Sequence, residues 1–446
     1  MGELELAQQT LSSEKVGMFM CFITMLNKIH AKVTGMFSKL KKIAEDDPRR
    51  VSHSLKVGLA LTLVSLVYYV TPLFNGFGSS SAMWAVLTVV VVMEYTVGGT
   101  LGKGINRTLA TVLAGSLALG AHHLADLCGD KVEPVLLGVL VFILKRYDYG
   151  VTIFILTFSL VAVSSYRVDE IIPMAQQRAS TIALGVATCL CLTIFVFPVW
   201  AGEDLHNMAA TNLEKLASFL EGLGDDYFQE KEKARENKEE KRNKSTYLQS
   251  YKSVLNSRAS EESLVNFAKW EPGHGGFGFR HPWDQYLKIG ASTRQCAYSM
   301  EALTALLKAS DPKPKPDPND VRNKIRSACA EMSSESAKGL SDLAASIRTM
   351  SVATAARQHM AAASAAADKL KALLSDGGEV AEIVHVATIG AILVEIVKCG
   401  EEIAGTVEEL ARLAGFKLAE AVNGAPVKPG SDDGQCPHVV ITVRGD

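Results

Sequence analysis

"ASTIALGVATCLCLTIFVFPVWAGEDLHNMAATNLEKLASFLEGL", residues 179–223, holds the reading on which the fold turns. Ala179 to Trp200 is apolar almost throughout. At 1.5 Å per residue such a run reaches ~33 Å, enough to cross a hydrocarbon core of about 30 Å. From Glu203 onward, charges appear and the apolar residues fall at three- and four-residue spacing, the pattern of a helix with one face on a core and the other in water. The chain passes here from lipid to water, and the boundary falls near Trp200.

The totals agree with a chain made partly for lipid. Of 446 residues, 48% are hydrophobic and 21% charged, and the mean hydropathy is +0.14, values that favour the membrane class. The net charge of −2 points to no partner by itself. "KEKARENKEEKRNK", residues 231–244, nearly balances its Lys and Arg with Glu, so it reads as a solvated face and no nucleic-acid partner is expected. Cysteines 21, 128, 189, 191, 296, 329, 399 and 436 are too scattered for a disulfide framework and lack paired CxxC spacing; they read as reduced thiols on intracellular faces. Gly17 to Leu26 has acidic residues before it and no cleavage site after it, which reads as an amphipathic interfacial segment rather than a secretory signal.

Upstream of Trp200 the apolar runs are Val57–Phe74, Ala82–Tyr95, Ile105–Leu127, Val135–Leu144 and Val151–Ser165. The first, third and fifth have the hydropathy of spans, as does the final run; the second is short and carries Glu94. The fourth reaches only ~15 Å before Lys145 and Arg146, half a crossing. Lys41, Lys42, Arg49, Arg50 and Lys56 precede the first run, Lys103 and Arg107 lie between the second and third, and Lys145 and Arg146 follow the fourth. The alternate loops hold Lys131, Arg167 and Arg178. Counting Lys and Arg places the first group and both termini in the cytoplasm, which demands an even number of crossings. The expected fold is all-α, a multi-span helical membrane domain followed by a cytosolic helical domain. Residues 1–54 form a cytosolic segment with the amphipathic helix, 55–200 the membrane domain, 201–423 the cytosolic helices and 424–446 a disordered tail. "DPKPKPDP", 311–318, reads as an extended connector, with Ala-rich helices at 333–374 and 379–414.

Few motifs carry chemistry. "GGTLGKGINR", 98–107, lacks the spacing of a phosphate loop, and its glycines suit a tight cytoplasmic turn with close helix packing. Arg107 opens the third run and Arg178 heads the last, where no orientation rule wants a basic residue. Each has two readings: a charge facing a watery interior, where it draws anions, or an anchor at the interface. Lys103 reads more readily as an anchor. Glu94, Asp148 and Arg167 suit salt bridges at helix ends. His122 and His123 stand about 100° apart on a helix and cannot share one metal; His274, His281 and Cys296 show no ligand spacing. With no nucleophile–base set and no dinucleotide fingerprint, neither an enzyme nor a cofactor is expected. "FAKWEPGHGGFGFRHPWDQY", 267–286, reads as an ordered loop whose rings dock on a helical domain.

"DPRRVSHSLKVGLALTLVSLVYY", "MWAVLTVVVVMEYTVGGTLGKGINR", "RYDYGVTIFILTFSLVAVSSYRV", "FPVWAGEDLH" and "WEPGHGGFGFRHPWDQY" together resemble the plant aluminium-activated malate transporter family of anion channels, in order from about Asp47 to Leu413. The resemblance implies a homodimer of six membrane helices per subunit with a cytosolic helical domain. It also implies a basic pore for malate and inorganic anions, with the pore arginines at Arg107 and Arg178 and Lys103 at the inner mouth. This chain departs from the family at "VLVFILKRYDYG", where members carry extra residues completing the fourth helix, so the short run looks like a deletion. It departs again outside the membrane, where "RVDEIIPMAQQR" offers only Asp169 and Glu170 as outer-loop gating carboxylates. A hard trivalent cation needs several oxygen ligands, which argues against activation by aluminium. The expectation is a multi-pass channel passing malate and other anions, in the plasma membrane rather than the vacuolar one. Its rivals are a proton-coupled organic-acid exporter and a non-conducting truncated isoform acting on full-length partners.

Overall fold

The computed structural model describes residues 48–66, 69, 82–128, 171–224, 247–309, 320–375 and 380–417, with scattered positions between 25 and 38. The runs at 135–144 and 151–165, the charged run 231–244, the connector 311–318 and the tail 424–446 lie outside these residues. The fold is all-α. Its helices are α1 (Pro48–Leu66), α2 (Ala82–Val92), α3 (Val97–Cys128), α4 (Ile171–Phe195), α5 (Ala201–Leu223), α6 (Lys252–Leu255), α7 (Arg258–Ala268), α8 (Trp283–Ala309), α9 (Asp320–Thr349), α10 (Thr354–Ser375) and α11 (Val380–Ala414).

Helices α1, α2 and α4 share a small core of Ala60, Val64, Ala85, Val89, Val92, Ile182, Val186, Cys189 and Leu192. Around it the polarity is the reverse of a water-soluble bundle. Lys56, Thr88, Thr100, Arg107, Thr111, Arg178, Thr181 and Thr193 are buried, while Leu55, Leu59, Leu63, Leu87, Val90, Leu109, Val112 and Leu113 face outward and exposed. An apolar exterior of this extent is what a bilayer covers. Among the described residues Gln176–Phe195 is the helix long and apolar enough to cross, with mean hydropathy 1.7; Met83–Val92 is a shorter apolar helix. The first and third runs were expected to match it. Of the first run, residues 57–66 are helical in α1 and most of the remainder lies outside the described residues; the third run is helical in α3, where the buried Thr100, Arg107 and Thr111 dilute the hydropathy.

Helix α3 begins at Val97, eight residues before the expected Ile105. Thr96 caps it, its Oγ1 accepting the N–H of Gly99 at 3.2 Å, as an N-cap does for the third helical residue. With 32 residues α3 runs ~48 Å, longer than the hydrocarbon core, and Arg107 stands well inside it rather than at its mouth. Beside the first turn of α3, at the same end of the bundle, α4 stops at Phe195, and Phe197 adopts a left-handed φ of 47°. Its carbonyl accepts a 2.7 Å hydrogen bond from Lys56 Nζ, a cation at a helix C-terminus where carbonyls lack partners.

The helices after Trp200 pack around Leu205, Leu213, Leu216, Leu220, Ile289, Met300, Leu340, Leu370, Leu393 and Leu410. Small residues set the spacing: Met360 of α10 lies over Gly339 of α9 and Gly400 of α11. Ser333 of α9 donates to the Leu220 carbonyl of α5 at 2.6 Å. The single helix expected over 333–374 is two helices, α9 and α10. The chain breaks at Met350, whose φ is 50°, and Val352 N–H and Met350 carbonyl pair with Lys417 beyond α11. Met360→Ala empties the shared notch; a loss of about 2–5 kcal/mol is expected, read as a lower Tm of the detergent-solubilised chain.

Candidate functional site

Two places gather polar groups that the helices had to be built to hold. The first is the interior of the membrane bundle. On α3, Thr100, Gly104, Arg107, Thr111 and Ala114 form one buried stripe at four- and three-residue steps. On α4, Arg178, Thr181, Ile182, Gly185, Val186 and Cys189 do the same. The helices run antiparallel, because Val97 N–H donates to the Val199 carbonyl at 2.9 Å and Gly104 meets Val186. Arg107 lies three residues above Gly104, and Arg178 eight above Val186. At 1.5 Å per residue the two guanidinium-bearing positions occupy tiers ~7.5 Å apart along the bundle.

Both arginines are buried, Arg107 at 3% and Arg178 at 8% exposure. The Arg178 guanidinium lies 4.1 Å from the centroid of the Trp84 ring on α2. Among the described residues no carboxylate pairs with it. Lys103 differs: it forms an ion pair with Glu94, and both side chains are about one-third exposed. Its charge is matched in the second turn of α3. Asp169 and Glu170 lie outside the described residues, as do Asp148, Arg167 and the side chains of His122 and His123.

The second place is the junction of the two domains, in the aromatic loop between α7 and α8. The Glu271 carboxylate, almost wholly buried, accepts the N–H groups of Ala201 at 2.6 Å and Gly98 at 3.3 Å on Oε1 and of Gly202 at 3.0 Å on Oε2. These are unpaired first-turn donors of α5 and α3, so two helix N-termini point at one negative charge. Gly98 has no room for a Cβ, which would lie 2.2 Å from the Phe267 carbonyl, and a Cβ on Gly102 would touch the Trp270 ring. The glycines of "GGTLGKG" allow close packing as expected, but the partners of Gly98 and Gly102 are Phe267 and Trp270, at and just beyond the end of α7. His274 stacks on Trp200 with centroids 3.9 Å apart, and its Nε2 lies 3.8 Å from Glu271.

The loop's rings dock on the helical domain as its composition suggested. Phe277 meets His206 edge-on and also packs on Trp283. The Tyr286 hydroxyl lies between His206 Nδ1 at 2.8 Å and His281 Nε2 at 3.2 Å. A phenol carries one proton, so one of these nitrogens must itself donate. Burial pushes the Tyr286 hydroxyl up, and burial followed by the charges of His206 and His274 pushes His281 down to about 4. Burial likewise raises the Glu271 carboxyl, while the N–H groups of Gly202 and Ala201 and the charge of His274 pull it back. A cavity of about 360 Å³ opens beside the loop, lined by Lys269, Glu271, His274, Phe279, Arg280 and His281 among others. Among the described residues no cluster of His, Cys, Asp and Glu could hold a metal ion, and Cys189, Cys191, Cys296, Cys329 and Cys399 are free thiols.

Residue spacing had picked out Arg107 and Arg178 but missed Trp84, Lys56 and Glu271. The signals were there, a Trp at the head of an apolar run and a Glu inside an aromatic loop, yet nothing in either stretch names a partner far along the chain.

The family model described as Aluminium activated malate transporter matches residues 41–379. Aluminum-activated malate transporter 1 of Triticum aestivum is 51% identical over 441 residues, covering 94% of each chain. Aluminum-activated malate transporter 2 of Arabidopsis thaliana is 43% identical over 442 residues, covering 93% of this chain and 86% of its own. A third relative, aluminum-activated malate transporter 1 of Arabidopsis thaliana, is 43% identical over 396 residues, 84% of this chain and 79% of its own.

Glu271→Gln replaces one acceptor oxygen by an amide that opposes the N–H groups it faces. A loss of about 1–3 kcal/mol is expected, measured as a fall in Tm of the full chain. His281 sets an acid limit. The unfolded chain takes up its proton near the ordinary value of 6.5, but the folded chain waits until about 4. Stability from this group is therefore complete above about 6.5 and drains away as the pH falls toward 4. Melting curves of His281→Gln between pH 7 and pH 4 should fall less steeply than those of the parent chain; parallel curves would contradict this.

Proposed function

The chain belongs to the aluminium-activated malate transporter family, and from that membership we propose that it is a channel through which malate and inorganic anions flow passively across the membrane. The family is one of transporters, not enzymes. The observation that carries the reading is the burial of Arg107 and Arg178 inside helices whose outer faces are Leu and Val. An anion entering such a bundle exchanges water for guanidinium N–H donors. Two cationic tiers share its charge, so neither holds it too tightly to let go. In a homodimer the two tiers become four arginines around one aqueous route, with each subunit screening the other's charges from hydrocarbon. Lys103 stands at the inner mouth, tempered by Glu94. The plasma membrane is the proposed location, and Asp169 and Glu170 are the proposed outer-loop gating carboxylates, too few to give a strong response to aluminium.

A proton-coupled exporter would need a buried group free to change protonation along the route. Glu94 or the His122–His123 pair would have to serve, and Glu94 is tied in an ion pair with Lys103 at a partly exposed position rather than standing free on a buried route. The passive reading therefore has the better support.

In oocytes or patches, currents through the chain should reverse at the anion equilibrium potential and follow it when internal malate is changed at constant pH. Arg178→Glu, which puts a negative charge in the upper tier, should abolish them at undiminished surface expression. Currents that track a proton gradient instead would contradict the proposal.

A further inference from the structure

Arg178 raises a question of support: what holds a cation inside the bundle without spending it? The usual device is a carboxylate, which would cancel the charge and occupy the N–H groups. Among the described residues the partner is the face of Trp84 at 4.1 Å. An indole face attracts a cation through its quadrupole yet carries no charge of its own. The guanidinium stays cationic, and a ring face does not take up its N–H donors as a carboxylate would. Stacking and bidentate carboxylate binding use different parts of the same ion.

The rest of α2 is placed to make this contact. Helices α2 and α4 run parallel, with three contacts in step. Trp84 meets Arg178; Thr88 and the Ala85 carbonyl leave no room for a Cβ on Gly185; and Thr193 Oγ1 approaches Met93 Sδ at 3.8 Å. The backbone-level contact at Gly185 sets the register of α2 on α4, and that register brings the indole to the level of the upper cationic tier. Helix α2 has 11 residues, ~16 Å, too short to cross the bilayer by itself.

We infer that Trp84 is the positioning residue of the upper anion tier: its ring holds the Arg178 guanidinium by a cation–π contact that leaves the charge and the N–H donors for an incoming carboxylate. This rests on the proposal that Arg178 faces the anion route. Trp84 itself does not bind the anion. It sets where the donor stands, and so acts on affinity before it acts on throughput.

The test is a dose–response of current against malate, with surface expression measured in parallel. Trp84→Leu should raise the half-saturating malate concentration by about 2- to 30-fold, the range that cation–π energies span. Trp84→Phe, a weaker π donor, should give a smaller rise. The decisive arm replaces Trp84 with mono-, di- and trifluorotryptophan, which keep the shape of the ring while draining charge from its face. The half-saturating concentration should climb step by step with fluorination, a graded response that a packing role would not produce. Arg178→Gln is measured beside them. If it removes the current while the fluorinated series stays flat, the role of Trp84 is refuted and the channel proposal stands. If it leaves current and half-saturation unchanged, Arg178 does not face the anion route, and the roles of both Arg178 and Trp84 are refuted.

Discussion

A guanidinium can stay inside a bilayer only where something replaces its water. On insertion scales a central arginine costs about 2.5–3.5 kcal/mol, and the cost falls when the charge faces protein or an aqueous route. That constraint organises the membrane half of this chain. Arg107 and Arg178 are buried because α3 and α4 turn their polar stripes toward each other. The leucines and valines of α1, α2 and α3 face outward for the same reason. Lys56 follows a related rule at the cytoplasmic end, where its charge meets the carbonyl of Phe197 just past the end of α4.

The same economy of partners ties the membrane bundle to the cytosolic helices. Glu271 comes from the loop between α7 and α8 and gathers N–H groups from α3 and α5. Gly98 and Gly102 let the base of α3 press on the end of α7 at backbone distance. Arg49 at the start of α1 reaches Asp204 at the start of α5 at 2.7 Å, an exposed pair that adds register more than stability. The base of α3 thus belongs to both domains: its first turn is held by Glu271, and its buried stripe leads within three turns to Arg107.

Much of this was legible in the sequence, because lipid and water impose opposite patterns on a helix. The all-helical fold follows from run length and three- and four-residue spacing, and charge placed at the ends of apolar runs is what singled out Arg107 and Arg178 as candidates. What escaped was set by contacts distant in sequence or by local capping. Thr96 starts α3 eight residues early, so Arg107 moves from the mouth of the helix to its interior. Met350 breaks a helical run that composition made continuous, because its neighbours pair with Lys417. Glu271 looked like one polar residue in an aromatic loop, and Trp84 like one ring in an apolar run. Each gains its meaning from a helix about 70 to 170 positions away.

The central claim is that the two buried arginine positions border water that anions can enter. It is tested most directly by Arg107→Cys and Arg178→Cys, each exposed to a negatively charged methanethiosulfonate during current recording. The account predicts that both thiols are modified, that malate slows the reaction, and that the parent chain is unaffected. Thiols that remain unmodified in a chain still passing anion current would contradict it.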